Sequence, residues 1–166
     1  MLRTATLCVL AALSIAEVAH ADSVTIAKGG QPAMTIVVPP EAHQGKVAAS
    51  IGGAGSAVYL QSLQVAPGER YLCELWAKRT APDAEAGVQL TVRWQTPGGA
   101  WLPDNSHDRS AVLPAGTAGW QPLQVAVEVP EGAGRLVFMC SASGRRGEAV
   151  AVFDDAAAYR IPREAE

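Results

Sequence analysis

From Tyr71 onward the chain changes polarity at every second residue, and such a period admits only extended backbone with one face buried. Tyr71, Cys73, Leu75 and Ala77 alternate with Leu72, Glu74, Trp76 and Lys78, and Val88, Leu90, Val92 and Trp94 alternate with Gln89, Thr91, Arg93 and Gln95. Leu123, Val125, Val127 and Val129 are interleaved with Gln124, Ala126 and Glu128, and Leu136, Phe138 and Cys140 repeat the scheme. Successive side chains of a strand point to opposite faces, so each run presents an apolar side to a core and a polar side to water. Ala57 to Val65 also reads as a strand, although its two faces are equally mixed, and the run from Glu148 to Ile161 closes the chain around Asp154-Asp155. Pro67-Gly68, Pro97-Gly98-Gly99, Pro130 with Gly132, and Gly144 to Gly147 supply turns between these runs. Val24 to Val38 reads as a hairpin about Lys28-Gly29-Gly30-Gln31. Sustained 3.6-residue periodicity is missing beyond the N-terminal region, and 11 prolines and 16 glycines would interrupt it. The pattern predicts an all-β, antiparallel sandwich or barrel.

The N-terminus has the layout of an export signal. Arg3 precedes an apolar run from Leu7 to Ile15, and Ala19-His20-Ala21 offers small residues for processing. That run is shorter than the roughly 20 apolar residues needed to span a bilayer, and no later stretch qualifies. Residues 1–21 are therefore expected to be a signal peptide, 22–166 one β-sandwich domain, and the destination secreted or periplasmic. Removing 21 of 166 residues leaves 145, room for one core. A formal net charge of -3, with basic residues adjacent only at Lys78-Arg79 and Arg145-Arg146, weighs against nucleic acid, which demands a basic stripe. Cys8 leaves with the signal, and Cys73 and Cys140 share inward parity, so either a disulfide or two buried thiols is open. Neither belongs to a CxxC pair.

Four segments carry a resemblance: Ala42-His43-Gln44-Gly45-Lys46; Val65 to Tyr71 running into Leu75-Trp76-Ala77-Lys78; Gly119-Trp120-Gln121; and Phe153-Asp154-Asp155. In this order and spacing, from about Ala42 to Tyr159, the chain resembles the jelly-roll carbohydrate-binding modules of families 4, 9 and 22. The resemblance implies a jelly-roll sandwich that binds polysaccharide or oligosaccharide without transforming it. It also implies that Trp120 helps to pack the sandwich. Such modules often hold a structural calcium between an opening glutamate, backbone oxygens near the Gly-Lys segment and an aspartate of the closing pair. Here Asp154 and Asp155 match and the opening glutamate does not, which leaves a cation wanting about six to eight oxygens short of a ligand. No resident cofactor is expected on that count, and one of the two aspartates is then expected to cap a turn or accept backbone hydrogen bonds.

Sugars offer apolar C–H faces and rings of hydroxyls, so their sites combine flat aromatic platforms with planar amide, carboxylate or guanidinium partners. Alternation turns Glu74, Trp76, Arg93 and Gln95 away from the core, and these are expected to line one open sheet face, with Trp101 contributing from the irregular stretch Pro97 to Gly119. Trp94 has core parity. The opposing reading is a wetted solvent face with a loop covering Trp76. A structural or adhesive sandwich that docks to another protein is the alternative function. A small glycan-cleaving enzyme built on Glu74, Asp104, His107 and Asp108 is the least supported, because no spacing favours it and no hydrolase motif occurs.

Overall fold

The computed structural model describes residues 24–28, 33–37, 43, 48–52, 56–80, 87–143 and 149–162. Their strands are β1 (Val24–Lys28), β2 (Ala33–Val37), β3 (Ala48–Gly52), β4 (Ser56–Gln64), β5 (Arg70–Arg79), β6 (Gly87–Gln95), β7 (Arg109–Val112), β8 (Gln121–Glu128), β9 (Arg135–Ser143) and β10 (Ala149–Ile161). They form two antiparallel five-stranded sheets, a first in the order β1-β4-β9-β6-β7 and a second in the order β2-β3-β10-β5-β8. The chain crosses between sheets at most of its connections, the course of a jelly roll. No helix occurs among the described residues, so none there is long and apolar enough to cross a membrane.

Alternation is realised residue by residue on β5 and β6, where every second side chain is buried. Leu75, Leu90, Trp94 and Leu136 are at most 1% exposed and meet in the core between the sheets. Each aliphatic side chain so buried contributes about 1.5–3 kcal/mol. Turn chemistry also holds: Gly68 takes a positive φ of 76°, and the Glu69 N–H donates to Ala66 O at 3.1 Å.

Several expectations are corrected. Val24 to Val38 is no hairpin, because β1 pairs with β4 in the first sheet and β2 with β3 in the second. The stretch Pro97 to Gly119 contains a strand, β7, paired to β6. The mixed faces of β4 resolve with Ala57, Tyr59, Gln61 and Leu63 on the inward side, cross-strand from Ala142, Cys140, Phe138 and Leu136. Cys73 and Cys140 are not bridged; both are free, buried thiols. They belong to opposite sheets, which pack about 10 Å apart, whereas a disulfide needs Cα atoms within roughly 7 Å.

Candidate functional site

The outward face of the first sheet is an ordered lattice of side chains. Cross-strand pairing sets Gln89 between Val112 and Ser141, and Thr91 between Ser110 and Met139. Arg93 stands beside Val137 and Gln95 beside Arg135, and on the far side of β9 these two residues meet Ser62 and Gln64 of β4. An isolated bridge pairs Gln95 with Trp101, which brings that indole onto the same face at the end of the Gln95–Arg135–Gln64 row. Three amides, two guanidinium groups and hydroxyl side chains thus share one surface with one tryptophan.

Trp101 is 42% exposed, unusual for so large an apolar ring. One side of it is backed by the Arg93 guanidinium, whose Cζ lies 4.7 Å from the ring centroid. Arg93 is itself braced: Nε donates to Asp108 Oδ2 at 2.7 Å and the terminal Nη2 to Asn105 Oδ1 at 2.8 Å. The side chains of that ion pair keep only 30% and 20% exposure, so solvent screens them less than an open surface pair. The turn beneath Trp101 is equally determined. The Gly99 N–H donates to Thr96 O at 2.9 Å with Gly99 at φ 87°, and the Gly134 N–H donates to Gln95 O at 2.9 Å. A Cβ at Gly134 would come within 2.8 Å of the Pro97 backbone, so the strand start and the Trp101 turn are in direct contact.

The five sequence-predicted site residues do not share one surface. Arg93, Gln95 and Trp101 come together as described, but Glu74 and Trp76 stand on β5 of the second sheet, on the opposite outer face of the sandwich. There Trp76 is half-buried beneath His43, whose imidazole stacks on it with ring centroids 4.0 Å apart and planes 15° apart. Trp120 packs against the same histidine at 5.4 Å, and the Lys78 ammonium lies 4.8 Å from the Trp120 centroid. Trp120 therefore packs the cover over the second sheet and not the inter-sheet core. Glu74 accepts a hydrogen bond from the Gln124 amide.

Asp154 and Asp155 hold His43 in that cover. The His43 N–H donates to Asp154 Oδ2 at 2.8 Å, and Asp154 Oδ1 accepts the Asp155 N–H at 2.8 Å. Asp155 Oδ2 lies 2.8 Å from His43 Nδ1. A bulge makes this reach possible: Trp76 pairs with Asp154 and Glu74 with Ala157, so Asp155 and Ala156 together oppose Leu75, with Asp155 in the left-handed region at φ 50°. Both oxygens of Asp154 thus accept backbone N–H groups, and among the described residues no cluster of three or more metal-ligating side chains gathers.

The carboxylates considered for hydrolysis are occupied locally. Asp104 accepts the Ser106 N–H at 2.8 Å and its hydroxyl at 2.7 Å, and these bonds hold its carboxyl below the usual range. A general acid needs the opposite shift. Asp108 serves Arg93, His107 O accepts the Trp94 indole N–H at 3.1 Å, and Glu74 is on the other face. A cleft of about 310 Å³ opens between the sheets beside the bulge, walled by Tyr59, Leu75, Phe138, Cys140 and Phe153. Its apolar lining suits a sugar poorly.

No family model and no curated protein matches the chain. Solved structures do. The enzymatically active domain of tailspike protein 4 from bacteriophage CBA120 superposes at TM-score 0.65 and 16% identity over 84% of this chain, which spans 19% of that one. TmCBM61, solved with β-1,4-galactotriose, superposes at TM-score 0.54 and 19% identity over 84% of this chain and 88% of its own. The CBM22-1 xylan-binding domain of Paenibacillus barcinonensis Xyn10C does so at TM-score 0.55 and 17% identity over 87% and 97%. At these identities the likeness is one of fold: the chain has the jelly-roll β-sandwich of carbohydrate-binding modules such as these.

Proposed function

We propose that the protein is an exported, non-catalytic carbohydrate-binding sandwich that holds an oligosaccharide against the outer face of its first sheet. Trp101 is the stacking platform, Gln95 with Gln89 and Thr91 supplies hydrogen bonds to hydroxyls, and Arg93 positions the indole from behind. The single observation that carries this reading is an exposed tryptophan backed by a braced guanidinium beside a row of planar amides. Such a platform costs little conformational entropy on binding. Structural neighbours that bind galactotriose and xylan support the ligand class, and the Arg3 to Ala21 segment supports export.

Pull-down on a panel of insoluble polysaccharides tests it. Wild-type protein is retained on at least one polymer, Trp101→Ala loses at least about tenfold in affinity, roughly 1.4 kcal/mol, and no reducing ends are released. Retention unaffected by Trp101→Ala contradicts the proposed face. Absence of retention on every polymer returns the same surface to the protein-docking alternative.

A further inference from the structure

We infer that this face selects acidic glycans, with Arg135 as the residue that receives a uronic-acid carboxylate; the inference rests on the sugar-binding reading above. Four other guanidinium groups, two on the first sheet and two on the second, already have acceptors. Arg93 is held by Asp108 and Asn105, Arg109 donates to the carbonyls of Ser106 and Asp108, and Arg160 pairs with Glu69 at 2.7 Å. Arg79 donates to the carbonyls of Pro114 and Leu113 at 2.5 and 2.7 Å. Arg135 differs. Its Nε is buried without a hydrogen-bond acceptor, and among the described residues no carboxylate pairs with it. That nitrogen is enclosed by protein, so an incoming acceptor meets the terminal Nη1 and Nη2, and no hydrogen bond from the described residues holds either of them.

Its setting supplies the rest of such a ligand's needs. Arg135 stands between Gln64 and Gln95 in the row that ends in Trp101. Strands lie about 4.8 Å apart, so Trp101 and Arg135 are roughly two strand spacings apart. That separation exceeds the width of one pyranose ring, and the indole and the guanidinium would therefore touch neighbouring units of a chain. The Gly99 backbone passes beside the guanidinium, where a Cβ would lie 3.6 Å from Nη1, so glycine at this position sets no side chain of its own against it. A guanidinium fork matches the planar carboxylate of a uronic acid in two parallel hydrogen bonds, which a neutral sugar cannot provide.

Affinity electrophoresis separates this inference from the broader reading. Polygalacturonate, alginate and glucuronoxylan are each compared with their carboxyl-reduced counterparts, and dextran sulfate serves as a charge control. The expected result is that at least one acidic polymer binds at least about tenfold more tightly than its reduced form, about 1.4 kcal/mol. Arg135→Gln erases that preference while retaining a cooperative melt, and Arg135→Lys, which keeps the charge without the fork, restores part of it. Equal binding of acidic and reduced polymers overturns the acidic preference and leaves sugar binding standing. Binding of dextran sulfate as tight as that of the uronates reduces the effect to bulk charge and overturns the carboxylate assignment. An undiminished preference in Arg135→Gln overturns the role of Arg135, and no binding to any polymer overturns both readings together.

Discussion

Removing the brace behind Trp101 provides a quantitative test of how the site is built. Asp108→Ala leaves the Arg93 guanidinium without its 2.7 Å partner while Asn105 still holds the other end. Fully exposed ion pairs contribute about 0–1 kcal/mol and buried ones broken on one side cost about 3–5 kcal/mol. With 30% and 20% side-chain exposure the Arg93–Asp108 pair falls between, and about 1.5 kcal/mol is expected. For a chain of this size that lowers the melting temperature by about 5 °C. A cycle of Arg93→Ala, Asp108→Ala and the double variant, measured by urea unfolding, should return a coupling of about 1–2 kcal/mol. Asp108→Ala should also weaken glycan affinity several-fold, because a loosened guanidinium no longer backs the indole. A coupling below about 0.3 kcal/mol, within the scatter of independent sites, or full affinity in Asp108→Ala would refute the bracing argument.

Three further outcomes follow from other parts of the molecule. Gly134→Ala should destabilise by about 1–3 kcal/mol and reduce polysaccharide retention together, since its Cβ would collide with the Pro97 backbone at 2.8 Å and shift the turn that carries Trp101; unchanged melting and retention would contradict that contact. Burial pushes the thiols of Cys73 and Cys140 from 9.0 up to about 12, so the unfolded chain loses these protons first as pH rises. Stability should be complete below about pH 9 and fall towards pH 12 by up to about 1.4 kcal/mol per pH unit for each thiol, and Cys140→Ala should flatten that alkaline limb; an unchanged slope would refute the assignment. His43→Ala should uncover Trp76, shift tryptophan emission to the red and cost about 0.5–1.5 kcal/mol, whereas emission identical to wild type would mean that the stack at 4.0 Å does not shield the ring.

Much of this architecture is legible in the residues, and the exceptions have physical causes. On β5 and β6 the alternation is strict, so the inward set Tyr71, Cys73, Leu75 and the inward set Leu90, Val92, Trp94 can be read directly. Parity distinguishes in from out but not one sheet from the other. For that reason Glu74 and Trp76 read from sequence as companions of Arg93 and Gln95, although the pairing of β5 with β8 and β10, and of β6 with β7 and β9, puts them on opposite sides. The segment around Lys28 to Gln31 has hairpin chemistry, yet β1 pairs with β4 and β2 with β3, so the two strands enter different sheets and tertiary pairing overrides the local signal. Strands β3 and β7 are short, and the small residues of Ala48–Gly52 and the polar Arg109-Ser110 show no alternation to find. Arg135 was within reach: Leu136, Phe138 and Cys140 point inward, so Arg135 must share the outward parity of Val137 and Met139.

Indole resonances give the most direct test of the site. The chain has four tryptophans, and their Nε1–H signals can be followed separately during titration with fragments of whichever polysaccharide retains the protein. The Trp101 signal should move in proportion to saturation while those of Trp76, Trp94 and Trp120 hold still. A titration that displaces Trp76 and Trp120 and leaves Trp101 in place would put the ligand on the other sheet and contradict the proposed face.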